Sequence, residues 1–479
     1  MYSIYSCLKG QYSKSKILLI EIFKQEFMHV LTNIYFMLFS YVKYKGEYEM
    51  ERDVKKQISS SNVSDYSAKI LPLRERAEIT NKWLKHRLRN VLPKLMQREK
   101  FDMWIVSARE YNEDPVLMTL LPAPMLSARR RTILVFYLKD SGELECLSLL
   151  RPVPVMNDFY EAIFTDNRVD QYKMLADLIR ERDPKSIGIN VSSTFAFGDG
   201  LTFSENRMLG EALDEKYQKR CRSAERLCVA WLEHRTDDEI AAYHGINEIA
   251  HGIINEAFSS RVITPGVTTA LDVAWWIRQK IRDLGLLAWF MPSVSIIRKG
   301  HESVSNTEVI MPGDVLHCDV GLEYLGICTD TQQNAYVLKL DENEPPEGLV
   351  RAFSDANRLQ DIHAEEMVAN RTGNEILKNI LDKAKAEGLN PCVYSHPIGY
   401  HGHGAGPTIG LYDQQEGVPG RGDYELYNNT AYAMELNNMK KVPEWDDQEV
   451  RVALEQTIIF TEDKVFYLGG RQKGYHLIK

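Results

Sequence analysis

Five residues in the last third of the sequence have side chains suited to binding metal ions. They are two aspartates, one histidine and two glutamates: Asp319, Asp330, His396, Glu435 and Glu455. Carboxylate oxygen and imidazole nitrogen suit Mn²⁺, Co²⁺, Fe²⁺ or Zn²⁺ better than soft metals. Four carboxylates in one pocket would repel one another, and a single dication cannot balance their charge. The set therefore predicts two divalent metal ions, about 3.5–4 Å apart.

The surrounding sequence indicates how these distant residues meet. Asp319 and Asp330 flank an apolar segment broken by two glycines, which predicts a strand, a tight turn and a returning strand. Glu435 and Glu455 lie in apolar strand-like segments, AYAMELN and VRVALEQTIIFT. An unpaired buried carboxylate costs several kcal/mol, so both glutamates need a metal or a cationic partner. Taken alone, an Asp in a DxG turn is usually only a turn residue, and the histidines of the loop HPIGYHGHGAGPTIG fit a solvated loop as well as a binding site.

This order of residues resembles the pita-bread metallopeptidases, and among them the branch of aminopeptidase P (Xaa-Pro aminopeptidase) and prolidase. The similarity runs from about residue 70 to the end of the chain and is densest after Asp319. The family has a DxG segment, here Asp319-Val320-Gly321, and a second Asp at the spacing of Asp330. Glu455 precedes Thr461 by six residues, as in the terminal strand of the family.

The histidine element of the family also has a counterpart. In the family a metal-binding His is followed, seven residues later, by a His that faces the substrate. His396 and His403 fit this spacing, so the resemblance favours His396 over His401 as the metal ligand. His401 and His403 are then the residues expected to contact the substrate.

The resemblance also implies a role for each ligand. Asp319 would chelate one metal ion, Asp330 and Glu455 would bridge both ions, and His396 and Glu435 would hold the other. Metal ions lower the pKa of a bound water, which would attack the scissile carbonyl.

Two of these residues would also act on the substrate. His403 would stabilise the tetrahedral oxyanion as a hydrogen-bond donor. Glu435 would take the proton of the water and pass it to the leaving nitrogen.

Three departures from the family pattern surround the expected substrate pocket. The first Glu of the family is followed by Pro-Gly, whereas Leu436-Asn437 occupy these positions here. An Arg usually stands two residues before the last Glu, but Arg451 stands four before it. An Arg common after the second Asp is replaced by Gln332 or Gln333.

The resemblance implies an α+β chain with a C-terminal pita-bread (creatinase/aminopeptidase) domain over residues 223–479. A smaller α/β domain of the creatinase N-terminal type would occupy residues 67–222. The implied activity is that of a dinuclear, most readily Mn²⁺-dependent, aminopeptidase that releases the N-terminal residue from peptides with proline in second position. Prolidase, which cleaves the dipeptide, is one alternative. Two further alternatives are a pita-bread protein that binds a ligand without catalysis and a metal-free relative that acts on an amidino substrate. The family further implies a homodimer.

Composition narrows the class of protein. The chain has 479 residues, of which 44% are hydrophobic and 26% charged, as expected for two or three globular domains. A net charge of −9 leaves no basic stripe for nucleic acid, and the run Arg129-Arg130-Arg131 is short and adjoins an apolar strand. Seven cysteines without CxxC spacing predict reduced thiols and a cytoplasmic protein.

Residues 1–66 differ from the rest of the chain. The segment 28–42 is apolar over about fifteen residues, which is short for a membrane-spanning helix. We therefore interpret residues 1–66 as an extension that is either non-native, with translation starting at Met50, or an anchor.

Further along the chain, the periodicity predicts a charged helix over 74–99 and another over 171–182. Capping boxes at Thr236–Glu239 and Thr372–Glu375 predict the starts of two more helices. The first of these helices begins one helix pair, and the second closes another. Each pair is followed by strands, which indicates an internal duplication.

Overall fold

The computed structural model describes residues 66–164 and 170–479. These described residues belong to one compact unit. The apolar segment 28–42, and all of the predicted extension except its last residue, lie outside the described residues. Within the described ranges, no helix combines the length and apolar character needed to cross a membrane.

The first half of the compact unit contains a mixed six-stranded sheet. Its strands are β1 (Met103–Arg109), β2 (Arg131–Leu138), β3 (Leu144–Ser148), β4 (Glu161–Ala162), β5 (Ile187–Ile189) and β6 (Cys221–Ser223). Their order is β4-β3-β2-β1-β5-β6, and β5 lies parallel to β1. Alternate residues of β1 enter different cores: Trp104 and Val106 pack on one side, Met103 and Ile105 on the other.

Helices cover both faces of this sheet. They are α1 (Leu73–His86), α2 (Leu92–Arg98), α3 (Pro115–Leu120), α4 (Gln171–Arg182), α5 (Phe203–Ala212), α6 (Glu215–Gln218) and α7 (Glu225–Glu233). The helix predicted over 74–99 is two helices joined by a π-helical turn, Arg87–Val91. Pro93 explains the break, because it has no N–H to continue the helical hydrogen-bond ladder.

The second half contains a nine-stranded sheet. Its strands are β7 (Ser293–Ile297), β8 (Val315–Val320), β11 (Thr331–Val337), β12 (Pro391–Val393), β13 (His396–Ile398), β14 (Thr430–Val442), β15 (Gln448–Thr461), β16 (Lys464–Tyr467) and β17 (His476–Ile478). The main path is β12-β14-β15-β11-β8-β7, with β13 beside β14, β16 beside β15 and β17 beside β11. A small hairpin, β9 (Glu323–Tyr324) and β10 (Ile327–Cys328), lies in the connection from β8 to β11. Its two turn residues, Leu325 and Gly326, both have positive φ, which suits a two-residue hairpin turn.

Two helix pairs pack on this sheet. They are α8 (Asp237–Ala257) with α9 (Ala270–Asp283), and α10 (Glu347–Glu366) with α11 (Gly373–Ala386). The predicted capping boxes of α8 and α11 are both formed. The first pair shares a hydrophobic core with β7 and β8, and the second pair with β14 and β15. Each pair precedes strands of the sheet in the chain, in the order that the sequence predicts.

Candidate metal centre

Four adjacent strands of the second sheet place polar residues in a single row. Asp319 on β8 lies opposite Gln332 on β11, Gln332 lies opposite Glu455 on β15, and Glu455 lies opposite Glu435 on β14. Side chains of directly paired residues stand on the same face of a sheet. Three of the five predicted ligands therefore share one face, with Gln332 between them.

The long β14–β15 hairpin fixes this register for the two glutamates. Pairing is continuous from Thr430 with Phe460 to Val442 with Gln448, and a short turn over residues 443–447 closes the hairpin. Side chains alternate between the faces, so a slip of one residue would turn one of the glutamates to the opposite face. The hairpin turn thus determines that Glu435 and Glu455 meet.

Asp330 and His396 complete the cluster from the strand ends. Asp330 directly precedes β11 and lies two residues before Gln332, on the same face. His396 begins β13 and pairs with Ala433, two residues from Glu435. Its Nε2 atom lies 3.5 Å from Asp330 Oδ2 and 3.7 Å from Glu455 Oε1. All five predicted ligands therefore converge.

The hydrogen bonding of His396 leaves one ring nitrogen directed at the carboxylates. Its Nδ1 atom lies 3.0 Å from the carbonyl oxygen of Pro397, to which it donates when protonated. The Nε2 lone pair then faces Asp330 and Glu455, which is favourable when a cation or a proton lies between them. This is the arrangement that metal-binding histidines adopt.

Several buried polar atoms of the cluster lack hydrogen-bond partners. They are Asp319 Oδ1, Asp330 Oδ1, His396 Nε2 and both carboxylate oxygens of Glu455. Glu455 is 1% exposed and Asp330 is 4% exposed, so both carboxylates are shielded from bulk water. Buried polar groups are normally satisfied, and orphaned atoms that face one another indicate an ion.

Electrostatics lead to the same conclusion. Burial, together with the carboxylates of Asp330 and Glu435, raises the pKa of Asp319 to about 9. Burial also raises the pKa of Glu435 to about 7, and raises the pKa of Glu455 well above its usual range with help from Asp330. Burial disfavours the imidazolium of His396, but the nearby Asp330 outweighs it and raises the His396 pKa. Without other positive charge, the cluster retains protons that divalent cations would replace.

The ligand atoms form two overlapping groups. Asp330, His396 and Glu455 offer atoms within 4.8 Å of one another, and so do Asp319, Glu435 and Glu455. Glu455 belongs to both groups. The donor set, its burial and its orphaned atoms fit divalent cations.

His403 stands beside the cluster against a tryptophan. Its ring lies 4.7 Å from the ring of His396 and 5.2 Å from that of Trp289, edge-on to both. Trp289 packs against two glycines: a Cβ at Gly321 would lie 2.2 Å from its Nε1, and a Cβ at Gly402 would lie 2.3 Å from its ring. Burial and the neighbouring His396 lower the pKa of His403, which favours its neutral form.

His401 has different surroundings. Its ring stacks on Phe197, with 4.4 Å between ring centroids. Burial lowers the pKa of His401 to about 4, so it is neutral at physiological pH. Its predicted contact with substrate stays a prediction.

A buried charged cluster anchors the histidine loop. Tyr400 donates its hydroxyl hydrogen to Glu239 over 2.9 Å, and its ring lies under the guanidinium groups of Arg87 and Arg235. Arg87 also bonds Glu239 over 3.0 Å, and Glu239 and both arginines are fully buried. The α1–α2 segment, the start of α8 and the histidine loop are thereby tied together.

A cleft of about 870 Å³ opens from the cluster. It is lined by His396, His403 and Glu435 at the metal side and by the segment 194–197 at the other. Arg421 and Arg451 also line it, and among the described lining residues Glu435 is the one carboxylate. Arg451 donates to the hydroxyl of Tyr394 over 2.6 Å. The cleft is thus cationic beyond the candidate metal ligands.

Two supporting interactions are not evident from the ligand pattern. Ser395 Oγ accepts from the backbone N–H of Glu435 over 2.9 Å and lies 2.9 Å from Nε2 of the buried His363 on α10. Gln332 contacts Asp319 and Glu435 directly. The alternation of Asp330 and Gln332 along one strand is the sequence signal that identifies Gln332.

Comparison with known proteins agrees with this geometry. Residues 242–462 match metallopeptidase family M24. No curated protein sequence matches the chain. An X-Pro aminopeptidase from Thermotoga maritima has a similar structure, with TM-score 0.57 and 15% identity, over 80% of this chain and 99% of that one. A Xaa-Pro dipeptidase from Bacillus anthracis aligns with TM-score 0.56 and 17% identity, over 85% and 100%. A prolidase from Pyrococcus furiosus aligns with TM-score 0.52 and 15% identity, over 79% and 99%.

At these identities the structural matches establish the fold, and the family match establishes the kind of domain. Family M24 peptidases use divalent metal ions, in agreement with the cluster described above. The predicted α+β fold with a C-terminal pita-bread domain is confirmed. Residues 242–462 are therefore identified as a pita-bread domain that matches metallopeptidase family M24.

Proposed function

We propose that this protein is a metal-dependent aminopeptidase that releases the N-terminal residue from peptides with proline in second position. The observation that carries the proposal is the convergence of orphaned, buried ligand atoms at the inner end of an open cleft. The fold shared with an X-Pro aminopeptidase supports the choice of substrate class.

The proposed metal ligands are Asp319, Asp330, His396, Glu435 and Glu455, and Mn²⁺ is the proposed ion. When bound, divalent cations supply a Lewis acid and an acidified water. Glu435 lines the cleft and is the proposed carrier of the proton that reaches the leaving nitrogen.

The proposed substrate contacts are His403 and His401. His403 borders the cleft beside His396 and would donate a hydrogen bond to the substrate oxygen as negative charge develops there. His401 stacks on Phe197 and would support the substrate wall on that side.

The cleft also supports a second candidate, prolidase. The guanidinium groups of Arg421 and Arg451 line the cleft, and no ion pair with either occurs among the residues the structure describes. An arginine without an ion pair near the metal centre suits the C-terminal carboxylate of a dipeptide. Against this, the cleft extends to the segment 194–197, which favours longer peptides.

Cleavage of paired peptides separates these candidates. A tripeptide Xaa-Pro-Yaa and the dipeptide Xaa-Pro are each incubated with chelator and with added Mn²⁺. Metal-dependent release of the first residue from the tripeptide supports the proposal. Cleavage of the dipeptide alone indicates prolidase. Absence of cleavage of either, in protein that contains metal, refutes a proline-specific peptidase and favours a binding protein.

Two variants control the experiment. Glu435→Ala is expected to abolish cleavage. Glu449→Ala removes an exposed glutamate from the same hairpin and is expected to leave cleavage unchanged.

The organisation of the chain is proposed alongside its activity. We assign residues 67–222 to an N-terminal domain and 223–479 to the catalytic domain, and we propose a homodimer. Light scattering of the purified protein measures the number of subunits directly.

A further inference from the structure

A second hollow lies at one edge of the six-stranded sheet. It has a volume of about 990 Å³, and none of its described lining residues also lines the cleft at the metal centre. Five of its lining residues are arginines: Arg109, Arg129, Arg130, Arg131 and Arg151. We call it the arginine hollow. The chain as a whole has a net charge of −9, so this concentration of positive charge runs against its composition.

Strand pairing brings these arginines together. Arg109 ends β1 and lies directly opposite Arg131, the first residue of β2. Arg151 follows β3, which pairs with the other edge of β2. The run Arg129-Arg130-Arg131 is too short to form a basic stripe by itself, but the sheet adds one arginine from each side. The hollow is therefore a product of tertiary structure.

A buried glutamate fixes two of the five arginines. Glu205, on α5, is fully buried and accepts from Nε (2.7 Å) and Nη2 (3.1 Å) of Arg131. Nε of Arg109 lies 3.4 Å from the same carboxylate, and its Nη2 donates to Ser204 over 3.3 Å. Like charges directly opposite each other on paired strands repel, and Glu205 offsets this repulsion. Both guanidinium groups are held in place, and within the described ranges neither Nη1 group donates to a protein atom.

The other three arginines have no countercharge. In the part of the chain that the structure describes, no ion pair with Arg129, Arg130 or Arg151 occurs, and all three are exposed. Asp170 is the one carboxylate among the described lining residues. It accepts from the backbone N–H of Tyr172 over 2.8 Å and thereby caps α4. The hollow thus has donors directed at no protein acceptor.

The charge and the donor type indicate the chemistry of a ligand. Five arginines against the carboxylates of Asp170 and Glu205 leave a net charge of +3. Planar guanidinium groups bind phosphate oxygens in pairs, which a lysine ammonium cannot do. A single phosphate group carries about two negative charges, so two linked phosphate groups come closer to balancing the hollow.

We propose that the arginine hollow binds the diphosphate group of a small molecule, which is either inorganic pyrophosphate or a nucleoside diphosphate. Arg129, Arg130 and Arg151 neutralise the phosphate groups, and the Nη1 groups of Arg109 and Arg131 donate to their oxygens. None of these residues is a proposed metal ligand or peptide contact. The inference therefore goes beyond the proposed peptidase activity and does not depend on it.

Calorimetric titration of the full chain with pyrophosphate tests the proposal. The wild type should bind pyrophosphate with a single class of site and orthophosphate about tenfold more weakly. ADP distinguishes the two sources of a diphosphate: tighter binding of ADP indicates a nucleotide, and tighter binding of pyrophosphate indicates the inorganic ion. A polyglutamate peptide that binds more tightly than both would overturn the proposal in favour of an acidic polypeptide.

Two variants locate the binding site. Arg129→Gln and Arg151→Gln each remove an exposed guanidinium group without breaking an ion pair, so both proteins should fold normally. Each should weaken pyrophosphate binding about tenfold, as expected for the loss of one charge-assisted hydrogen bond, and the double variant about a hundredfold. Arg207→Gln is the matched control, because Arg207 is an exposed arginine on α5 that pairs with Glu211 over 3.6 Å. It should bind pyrophosphate as the wild type does.

A second control separates the hollow from the peptidase cleft. Pyrophosphate also binds metal ions, so Arg451→Gln, in the cleft, is titrated in parallel. Weaker binding in Arg451→Gln, with unchanged binding in Arg129→Gln and Arg151→Gln, would place the anion in the cleft and overturn the inference. Absence of pyrophosphate binding by the wild type would overturn it as well. Peptide cleavage is not measured in these titrations, so either proposal can fail while the other stands.

Discussion

The buried contact between Glu239 and two arginines gives a prediction that can be tested by unfolding. Replacing Glu239 with glutamine removes its charge while Arg87 and Arg235 remain fully buried. Breaking a buried ion pair by removing one partner typically costs about 3–5 kcal/mol, because a charge is left uncompensated. The hydrogen bonds from Thr236 (2.7 Å) and Tyr400 (2.9 Å) are weakened at the same time, since their acceptor is no longer ionised.

The lowered pKa of Glu239 indicates the same order of magnitude. Burial opposes ionisation, but Arg87 and Arg235 outweigh it and lower the pKa from 4.5 to about 2. By linkage, this difference corresponds to about 3 kcal/mol of stability at neutral pH. Because the folded-state pKa is the lower one, the contribution is complete above pH 4.5 and is lost as the pH falls toward 2. Both arguments therefore give a loss of about 3 kcal/mol or more.

Urea unfolding at pH 7, followed by far-ultraviolet circular dichroism, measures the effect. The control is Glu248→Gln, on the same helix as Glu239. It removes a half-exposed ion pair between Glu248 and Lys69 and should cost no more than about 1 kcal/mol. The difference between wild type and Glu239→Gln should shrink below pH 4.5. A loss under about 1 kcal/mol, equal to that of the control, would refute the stabilising role of the cluster.

Two further predictions concern the cleft. Arg451→Ala should raise KM about ten- to a hundredfold, with little change in kcat, for a substrate whose carboxylate binds Arg451, because one charge-assisted hydrogen bond is lost. Initial-rate measurements that give equal KM values for wild type and variant would contradict this role. Gly402→Ala should lower kcat and reduce thermal stability, because its Cβ would lie 2.3 Å from Trp289 and displace the neighbour of His403. Gly474→Ala, where a Cβ meets open space without a positive φ, is the control for general glycine effects. A Gly402→Ala enzyme with unchanged kcat would exclude the packing argument.

Sequence reasoning succeeded where the signal is local. The boxes Thr236–Glu239 and Thr372–Glu375 each involve four consecutive residues, and both helices begin where these boxes predict. The segment from Asp319 to Asp330 was predicted as strand, turn and strand because its apolar residues and glycines lie within a dozen positions. The structure adds a small hairpin, β9–β10, within this connection. The fold class followed from the resemblance rather than from periodicity.

Long-range geometry was not predictable in the same way. The place of Gln332 in the ligand row depends on the pairing of three strands, β8, β11 and β15, that are brought together only by tertiary structure. Arg87 anchors the loop that carries His396, which lies more than three hundred residues later in the chain. The π-helical turn at Arg87–Val91 was missed because helix periodicity continues through it.

The spread of the ligand row over the chain has a consequence for biosynthesis. Asp319, Asp330, His396, Glu435 and Glu455 come from different strands, and Glu455 contributes to both ligand groups. A growing polypeptide therefore has no complete ion-binding pocket until residue 455 has been synthesised and β15 has paired with β11. The proposed metal ions would therefore be acquired late in the maturation of this protein. A divalent cation that binds only the complete pocket would stabilise the finished sheet by mass action.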